Sequence, residues 1–376
     1  MPIRTGCMKK NFKYLALFVF LFCLSDQTKG SQDNEKNPPS TDPGASRAVR
    51  VFERNFHGFQ LFRIPALVKT NRNTLLVFAE ARKLSSNGDK GDIDLVLRRS
   101  TDGGKTWGDM ITVWNDGENT CGNPVPVIDK ESGDIHLVAT WNNQRVFVLK
   151  STDDGLTWTT PKEITSSVKP AGWGFYATGP VHGIQISEGR YKGRLVIPSY
   201  ARVLKDGGLK NHSFIIYSDD RGESWKIGDV TSEEGVEECT VVELKGGRLM
   251  LSMRSHHPYR TVAMSDNGGV TWSKTRPDTV LIDPLCQGSL LSAKAGTGNA
   301  LFFSNPASNK RENVTIRLSA DEGNTWPKSH RVFAGPSAYS DMVMLDKNTI
   351  GIIFESGIKS PHGHILFDTV SVSDIK

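Results

Sequence analysis

Three arginines stand in strand-like segments where a packed sheet has no use for a charge. In "LFRIPAL" (61–67) Arg63 interrupts an apolar run that ends at Pro65. In "LMLSMRS" (249–255) Leu249, Leu251 and Met253 alternate with Met250, Ser252 and Arg254, and in "VTIRLS" (314–319) Arg317 shares a face with Thr315. A period of two lets each guanidinium project away from the packed face of its sheet. One such residue is an edge charge or half of a structural ion pair. Three in separate segments suit a single convergent anion site, because planar guanidinium forks match a carboxylate.

A second set of polar residues looks equally chemical. "STDDGLTW" (151–158) packs hydroxyls, adjacent carboxylates, a glycine and a tryptophan into eight residues, but "STDGGKTW" (100–107), "SDDRGESW" (218–225), "SDNGGVTW" (265–272) and "SADEGNTW" (319–326) repeat it. A catalytic constellation is needed once, whereas a turn that finishes a structural unit is needed in every unit. Asp or Asn bonding nearby amides, Gly at positive φ and a Trp burying its ring describe such a turn. The boxes are read as staples that position the site from elsewhere.

Their starts at 100, 151, 218, 265 and 319 are 51, 67, 47 and 54 residues apart. Short β-rich segments fill the intervals, among them "DIHLVATW", "RVFVLKS" and "GRLMLSMRS", and no long helical period intervenes. About 50 residues per four-stranded unit is the spacing of propeller blades. Residues 47–376 supply 55 residues for each of six units. The expected fold is all-β: a six-bladed propeller of four-stranded antiparallel blades, with one box degenerate.

Composition is that of an ordinary globular chain: 376 residues, 37% hydrophobic, 23% charged, net charge +5. Without a long basic run, nucleic acid is not an expected partner. Arg4, Lys9, Lys10 and Lys13 precede the apolar run Leu15–Leu24, which is too short for a membrane span of ~20 residues and reads as a signal peptide within 1–30. Residues 31–46, "SQDNEKNPPSTDPGAS", read as a flexible linker and 47–376 as the propeller. Export is expected, with extracellular, periplasmic and lysosomal destinations all open. Outside the leader only Cys121, Cys239 and Cys286 remain, which make neither a disulfide framework nor a metal site.

With "FRIPAL" (62–67), "RRSTDGGKTW" (98–107), "EECTVVEL" (237–244), "MRS" (253–255), "IRLSADEGNTW" (316–326), "AYSDMV" (338–343) and "IIFES" (352–356), the chain resembles the retaining exo-α-sialidases, or neuraminidases, along the whole propeller region. The resemblance implies a triad Arg63, Arg254 and Arg317 that clamps the substrate carboxylate, with Glu355 orienting Arg63. It implies Tyr339 as nucleophile and Glu238 as its base. It implies a general-acid Asp in the loop after "FAEAR"; counting nine back from Arg98, as the resembled family does, selects Asp89, with Asp92 as alternative and Asp94 inside the next strand. Asn123 matches a pocket-lining Asn. No metal or cofactor is required by this mechanism, and the partners implied are sialylated glycans, with no stable membrane insertion and a monomeric enzyme.

Two other readings use the same residues. A trans-sialidase, including one that closes the sugar on itself, differs only in what attacks the covalent intermediate. A propeller that binds sialic acid without turnover needs the arginines but not Tyr339, Glu238 and Asp89. Trp173, Phe175 and Tyr176 in "GWGFYATGP" fit either a sugar pocket or the core.

Overall fold

The computed structural model describes residues 47–83, 88–205, 207–295 and 298–376. The leader and linker expected over 1–46 lie outside the described residues. What is described forms six antiparallel sheets. The inner strand of each sheet is Leu61–Lys69, Cys121–Ile128, Tyr176–Thr178, Val236–Glu243, Ser289–Ala295 and Ser337–Met344 in blades one to six. In blade three a short strand, Ile184–Gln185, continues the inner edge. The sixth blade is closed by the first strand of the propeller: Val49–Glu53 pairs with His364–Ser371 as its outermost strand. That pairing ties the two ends of the propeller together and leaves its ring without a free seam.

Six apolar clusters fill the six interfaces between neighbouring blades. Alternate residues of each strand therefore face one neighbour or the other, which is why the middle strands read as nearly unbroken apolar runs such as "LLVFAEAR" and "TIGIIFES". The boxes finish the third strands. In "STDDGLTW", Asp153 Oδ1 accepts from the amides of Leu156 at 3.1 Å and Thr157 at 2.9 Å and from the Ser151 hydroxyl at 2.9 Å. Ser151 Oγ in turn accepts from Gly155 N at 2.9 Å. The same set of bonds recurs around Asp102, Asp220, Asn267 and Asp321. Box tryptophans reach back to the preceding blade: Trp107 meets Phe367, Trp158 meets Phe78 and Trp225 meets His136. Gly104 has φ +90°, and a Cβ there would collide with the Phe367 ring, so that box position belongs to glycine. Blade six lacks the motif; its third strand ends at Ser371 in "SVSDIK".

At the axis, fully buried Asp341 on the sixth inner strand holds four blades together. It accepts from Leu67 N at 2.8 Å, His182 N at 3.0 Å, His182 Nδ1 at 2.7 Å and the Ser289 hydroxyl at 2.7 Å. Burial works against a charge on His182, but Asp341 overrides it and raises the imidazole pKa. Among the described residues no helix is long and apolar enough to cross a membrane.

Four inner strands carry a one-residue β-bulge near their N-terminal ends, breaking register between Arg63 and Ala66, Gly122 and Val125, Val236 and Cys239, and Ser337 and Ser340. Pro65 therefore does not end its strand as its sequence suggested. It sits in the bulge, where a missing N–H is harmless, and the strand runs on to Lys69. Because second strands run antiparallel to the first, their C-terminal ends meet these bulges at one end of the axis. The boxes, at the C-terminal ends of the third strands, lie at the other.

Removing the Asp153 carboxylate is therefore a stability experiment. Although burial opposes ionisation, the Thr157 and Ser151 bonds lower its pKa to about 2, so its contribution is present above the unfolded value near ~4 and is lost as pH falls toward 2. Asp153→Ala is expected to cost ~1–3 kcal/mol in urea unfolding at neutral pH, with less difference from wild type in strong acid. A folded variant of undiminished stability would contradict the staple reading.

Candidate active site

The bulges deliver a cluster of opposite charges around one phenol. Tyr339, in the sixth blade's bulge, is 5% exposed, and its hydroxyl donates a short hydrogen bond to Glu238 Oε1 from the fourth blade's bulge. Glu238 Oε2 accepts from Arg254 Nη1 at 2.7 Å, and the same nitrogen lies 3.4 Å from Tyr339 Oη. Arg63 stands over the Tyr339 ring, its guanidinium carbon 5.1 Å from the centroid. Glu355, fully buried at the end of the second strand Thr349–Ser356, accepts from Arg63 Nε at 2.7 Å and from Ile64 N at 2.9 Å. It thereby fixes both the side chain of Arg63 and the bulge beside it, where Ile64 takes φ +59°.

These contacts set the ionisation states. Burial alone would raise the Glu355 pKa, but Arg63 and His362 hold it well below the usual carboxylate range. Burial also opposes the charges on Arg63 and Arg254, yet Glu355 and Glu238 respectively drive both guanidinium pKa values upward. The Tyr339 phenol is pushed well above its ordinary value, first by burial and then by Glu238, with Arg254 and Arg63 pulling the other way. The site is thus a neutral phenol hydrogen-bonded to Glu238 and walled by permanent cations.

The third arginine is not the expected one. Arg317 lies mid-strand in Val314–Ser319, the third strand of its blade, paired with Phe303 and Ser329. Its electrostatic partner is Asp278, on the fourth blade's outermost strand, and burial lowers its pKa. Its Nη1 is buried without a hydrogen-bond partner among the described residues. A third strand faces neighbouring blades, so alternation along it never aims a side chain at the axis. Arg311, six residues earlier in the loop that returns from the second strand, takes the place instead. Its guanidinium carbon lies 5.6 Å from the Tyr339 centroid, Nη2 donates to Leu285 O at 2.8 Å, and its charge acts on Tyr339 and Glu238. A loop before the strand "NVTIRLS", at the same end as Arg254, was the signal available in the sequence.

The acidic loop of blade one sorts its three aspartates. Asp89 Oδ1 accepts from Arg82 Nη2 at 2.8 Å, and its side chain is 74% exposed. It lies close enough to Arg63, Glu80 and Tyr200 to bias their titration. Asp92 turns to Lys83 at 2.9 Å, and buried Asp94 accepts from Asn115. Asp89 is the one that faces the arginine cluster. Glu80 and Arg82, within "FAEAR", brace it: Arg82 Nε reaches Glu80 Oε2 at 3.0 Å while its Nη2 holds Asp89. Asn123, in the second blade's bulge at φ +55°, donates its amide to Glu80 Oε1 at 2.9 Å and its Nδ2 to Thr140 at 3.1 Å. It joins the bracing of Asp89, with no contact to Tyr339. Tyr176 is fully buried in the interface of blades two and three and Trp173 packs on that cluster, so both belong to the core. Phe175 stacks toward Tyr200, at 5.5 Å between centroids.

This arrangement can bind a carboxylate between guanidinium groups, present a phenol with a base attached, and offer an exposed carboxyl nearby. Known proteins carry the comparison further. Residues 73–352 match the BNR repeat-like domain family. The chain is 35% identical to a sialidase of Bacteroides fragilis over 84% of its own length and 62% of that protein's, so it spans less than two thirds of that relative. It is 32% identical to an exo-alpha-sialidase of Arthroderma benhamiae, covering 76% of this chain and 71% of the relative. The solved structure of the Hadza microbial sialidase Hz136 superposes with a TM-score of 0.79 at 31% identity, over 88% of this chain and 69% of that one. Blade repeats, axial site and overall likeness agree, and the chain belongs to the sialidase family.

Proposed function

We propose that the protein is an exo-α-sialidase that hydrolyses terminal α-linked sialic acids from glycoproteins, glycolipids and oligosaccharides, with retention through a covalent sialyl-tyrosine intermediate. The observation that carries this reading is the Tyr339–Glu238 hydrogen bond set among Arg63, Arg254 and Arg311. Sialic acid bears a carboxylate directly on its anomeric carbon. A carboxylate nucleophile would meet that charge head-on, whereas a phenol approaches neutral. Free tyrosine, with pKa ≈ 10, is too weak a nucleophile near neutrality, and this one is pushed higher still. Glu238 receives its proton as attack proceeds, the pattern of a nucleophile activated by an adjacent base. Sialidases with a tyrosine nucleophile stand outside the usual two-carboxylate scheme of glycosidases.

The arginines hold the substrate carboxylate in ground and transition states alike. They also stabilise the phenolate that develops on Tyr339, through fixed charges that need no reorganisation. Asp89 protonates the leaving oxygen and afterwards activates water, so that the configuration is inverted twice. Arg82, itself engaged by Glu80, holds Asp89 in place beside the arginines. The basic leader and apolar run Leu15–Leu24 support export before action on such glycans. Recovery from culture medium of a protein beginning near residue 31 would agree, and unprocessed protein confined to cells would contradict it.

Hydrolysis of a 4-methylumbelliferyl α-sialoside tests the reading. Tyr339→Phe should lower kcat by about 10³-fold or more while the protein stays folded. A folded wild type that binds sialic acid without turnover would move the protein to the binding-only reading. Product analysis with sialyllactose should give free sialic acid, and transfer to added lactose, or an anhydro sugar, would indicate the trans-sialidase.

The two arginines make a paired test. Arg311→Ala should raise KM about 10- to 100-fold through loss of one charge-assisted contact. Arg317→Ala should leave KM unchanged and act on stability alone. The reverse pattern would restore Arg317 to the triad.

A further inference from the structure

One buried ion pair lies outside every role assigned so far. Arg260 and Asp283 meet at 2.8 Å, both wholly inaccessible to solvent. Dry ion pairs are poor sources of stability, since desolvation offsets their attraction, so what they hold becomes the question. Arg260 Nη1 donates to Cys286 O at 2.9 Å and Asp283 Oδ1 accepts from Cys286 N at 2.7 Å, bracketing both main-chain groups of one residue. Arg260 Nη2 also donates to Ser252 O at 2.9 Å and reaches the carbonyl of Glu238 at 3.5 Å.

The turn pinned in this way, residues 283–287, touches Arg311, Tyr339 and the residue after Tyr339. Leu285, at φ +57°, offers the carbonyl that holds Arg311. The side chain of Cys286 packs with Ile64, Ala338 and Tyr339 in one buried cluster. Gln287, 1% exposed, brackets the residue after Tyr339: Nε2 donates to Ser340 O at 2.9 Å and Oε1 accepts from Ser340 N at 3.0 Å. Blade five has no bulge in its inner strand, and this turn is how it enters the site.

We propose that the 283–287 turn, anchored by Arg260, is the positioning device of the site, and that Gln287 is the positioning residue that holds Tyr339 in register with Glu238 and Arg311. The inference rests on Tyr339 being the nucleophile. A neutral amide both donates to and accepts from a single residue's main chain at every pH. Leucine does neither. A carboxyl does both only when protonated, and once ionised it turns a lone pair against Ser340 O.

Gln287→Leu and Gln287→Glu, assayed beside wild type on the 4-methylumbelliferyl sialoside from about pH 5 to about pH 8, test it. Gln287→Leu should lower kcat about 10- to 100-fold at every pH, with KM nearly unchanged, the size of loss that a small misplacement produces. Gln287→Glu should exceed Gln287→Leu at acid pH and lose that advantage as pH rises, unless burial keeps its carboxyl protonated throughout, in which case the advantage persists. Equal kcat for the two variants at every pH, or wild-type kcat in Gln287→Leu, overturns the proposal. Should Gln287→Leu fail to fold, the ratio of Gln287→Glu to wild type decides: falling with pH, or held at wild-type level, supports it, and a pH-independent loss overturns it. An inactive wild type would instead defeat the sialidase reading on which it rests.

Discussion

Six inner strands converge on one axis with their N-terminal ends together, and the rest of the molecule serves that convergence. A regular strand in this position sends alternate side chains toward the two adjoining blades. The bulges interrupt this alternation where Arg63, Asn123, Glu238 and Tyr339 stand, as bulges do where a strand must re-aim a side chain. Asp341 supplies the matching constraint further along the axis by tying four blades to one buried carboxylate. The boxes and interface clusters stabilise the ring far from the chemistry.

Electrostatics then decides what that end of the axis can do. Taking a guanidinium out of water costs several kcal/mol unless it is partnered, and each arginine here has a different partner. Arg63 is held by Glu355, Arg254 by Glu238, and Arg311 by a main-chain carbonyl. Glu355 serves orientation: among the described residues its hydrogen-bond and ion-pair partners are Arg63, His362 and main-chain amides. Glu238 is shared between Arg254 and the phenol, which makes it the group that can exchange a proton with Tyr339. Arg63, Arg254 and Arg311 converge on the buried phenol, so a carboxylate arriving there would meet three guanidinium groups.

Much of this was legible in the sequence, for physical reasons that differ from residue to residue. The boxes were readable because every blade needs the same turn, and the blade count followed from their spacing. Arg63, Arg254, Glu238, Tyr339 and Glu355 sit in short strings whose resemblance to the sialidases marks them, and the fold brings all five together. Asp89 was preferred to Asp92 by the count that the resemblance to the sialidases supplies; in the structure Asp89 pairs with Arg82 and Asp92 with Lys83. Arg317 was misplaced because alternation says which side of a strand a residue takes, not whether that strand lines the axis. Arg311 lies in a loop, where no period operates. Gln287 and Arg260 carry no sequence signal at all, since their partners are main-chain groups of distant residues.

In the proposed reaction Tyr339 attacks the anomeric carbon. Incubating the protein with a 2,3-difluorinated sialic acid, whose fluorine slows breakdown of the glycosyl-enzyme, and mapping the modified peptide by mass spectrometry tests it most directly. One sialyl adduct is expected, on Tyr339 within "AYSDMV". An adduct on another residue, or steady turnover of sialosides with no adduct formed, would contradict it.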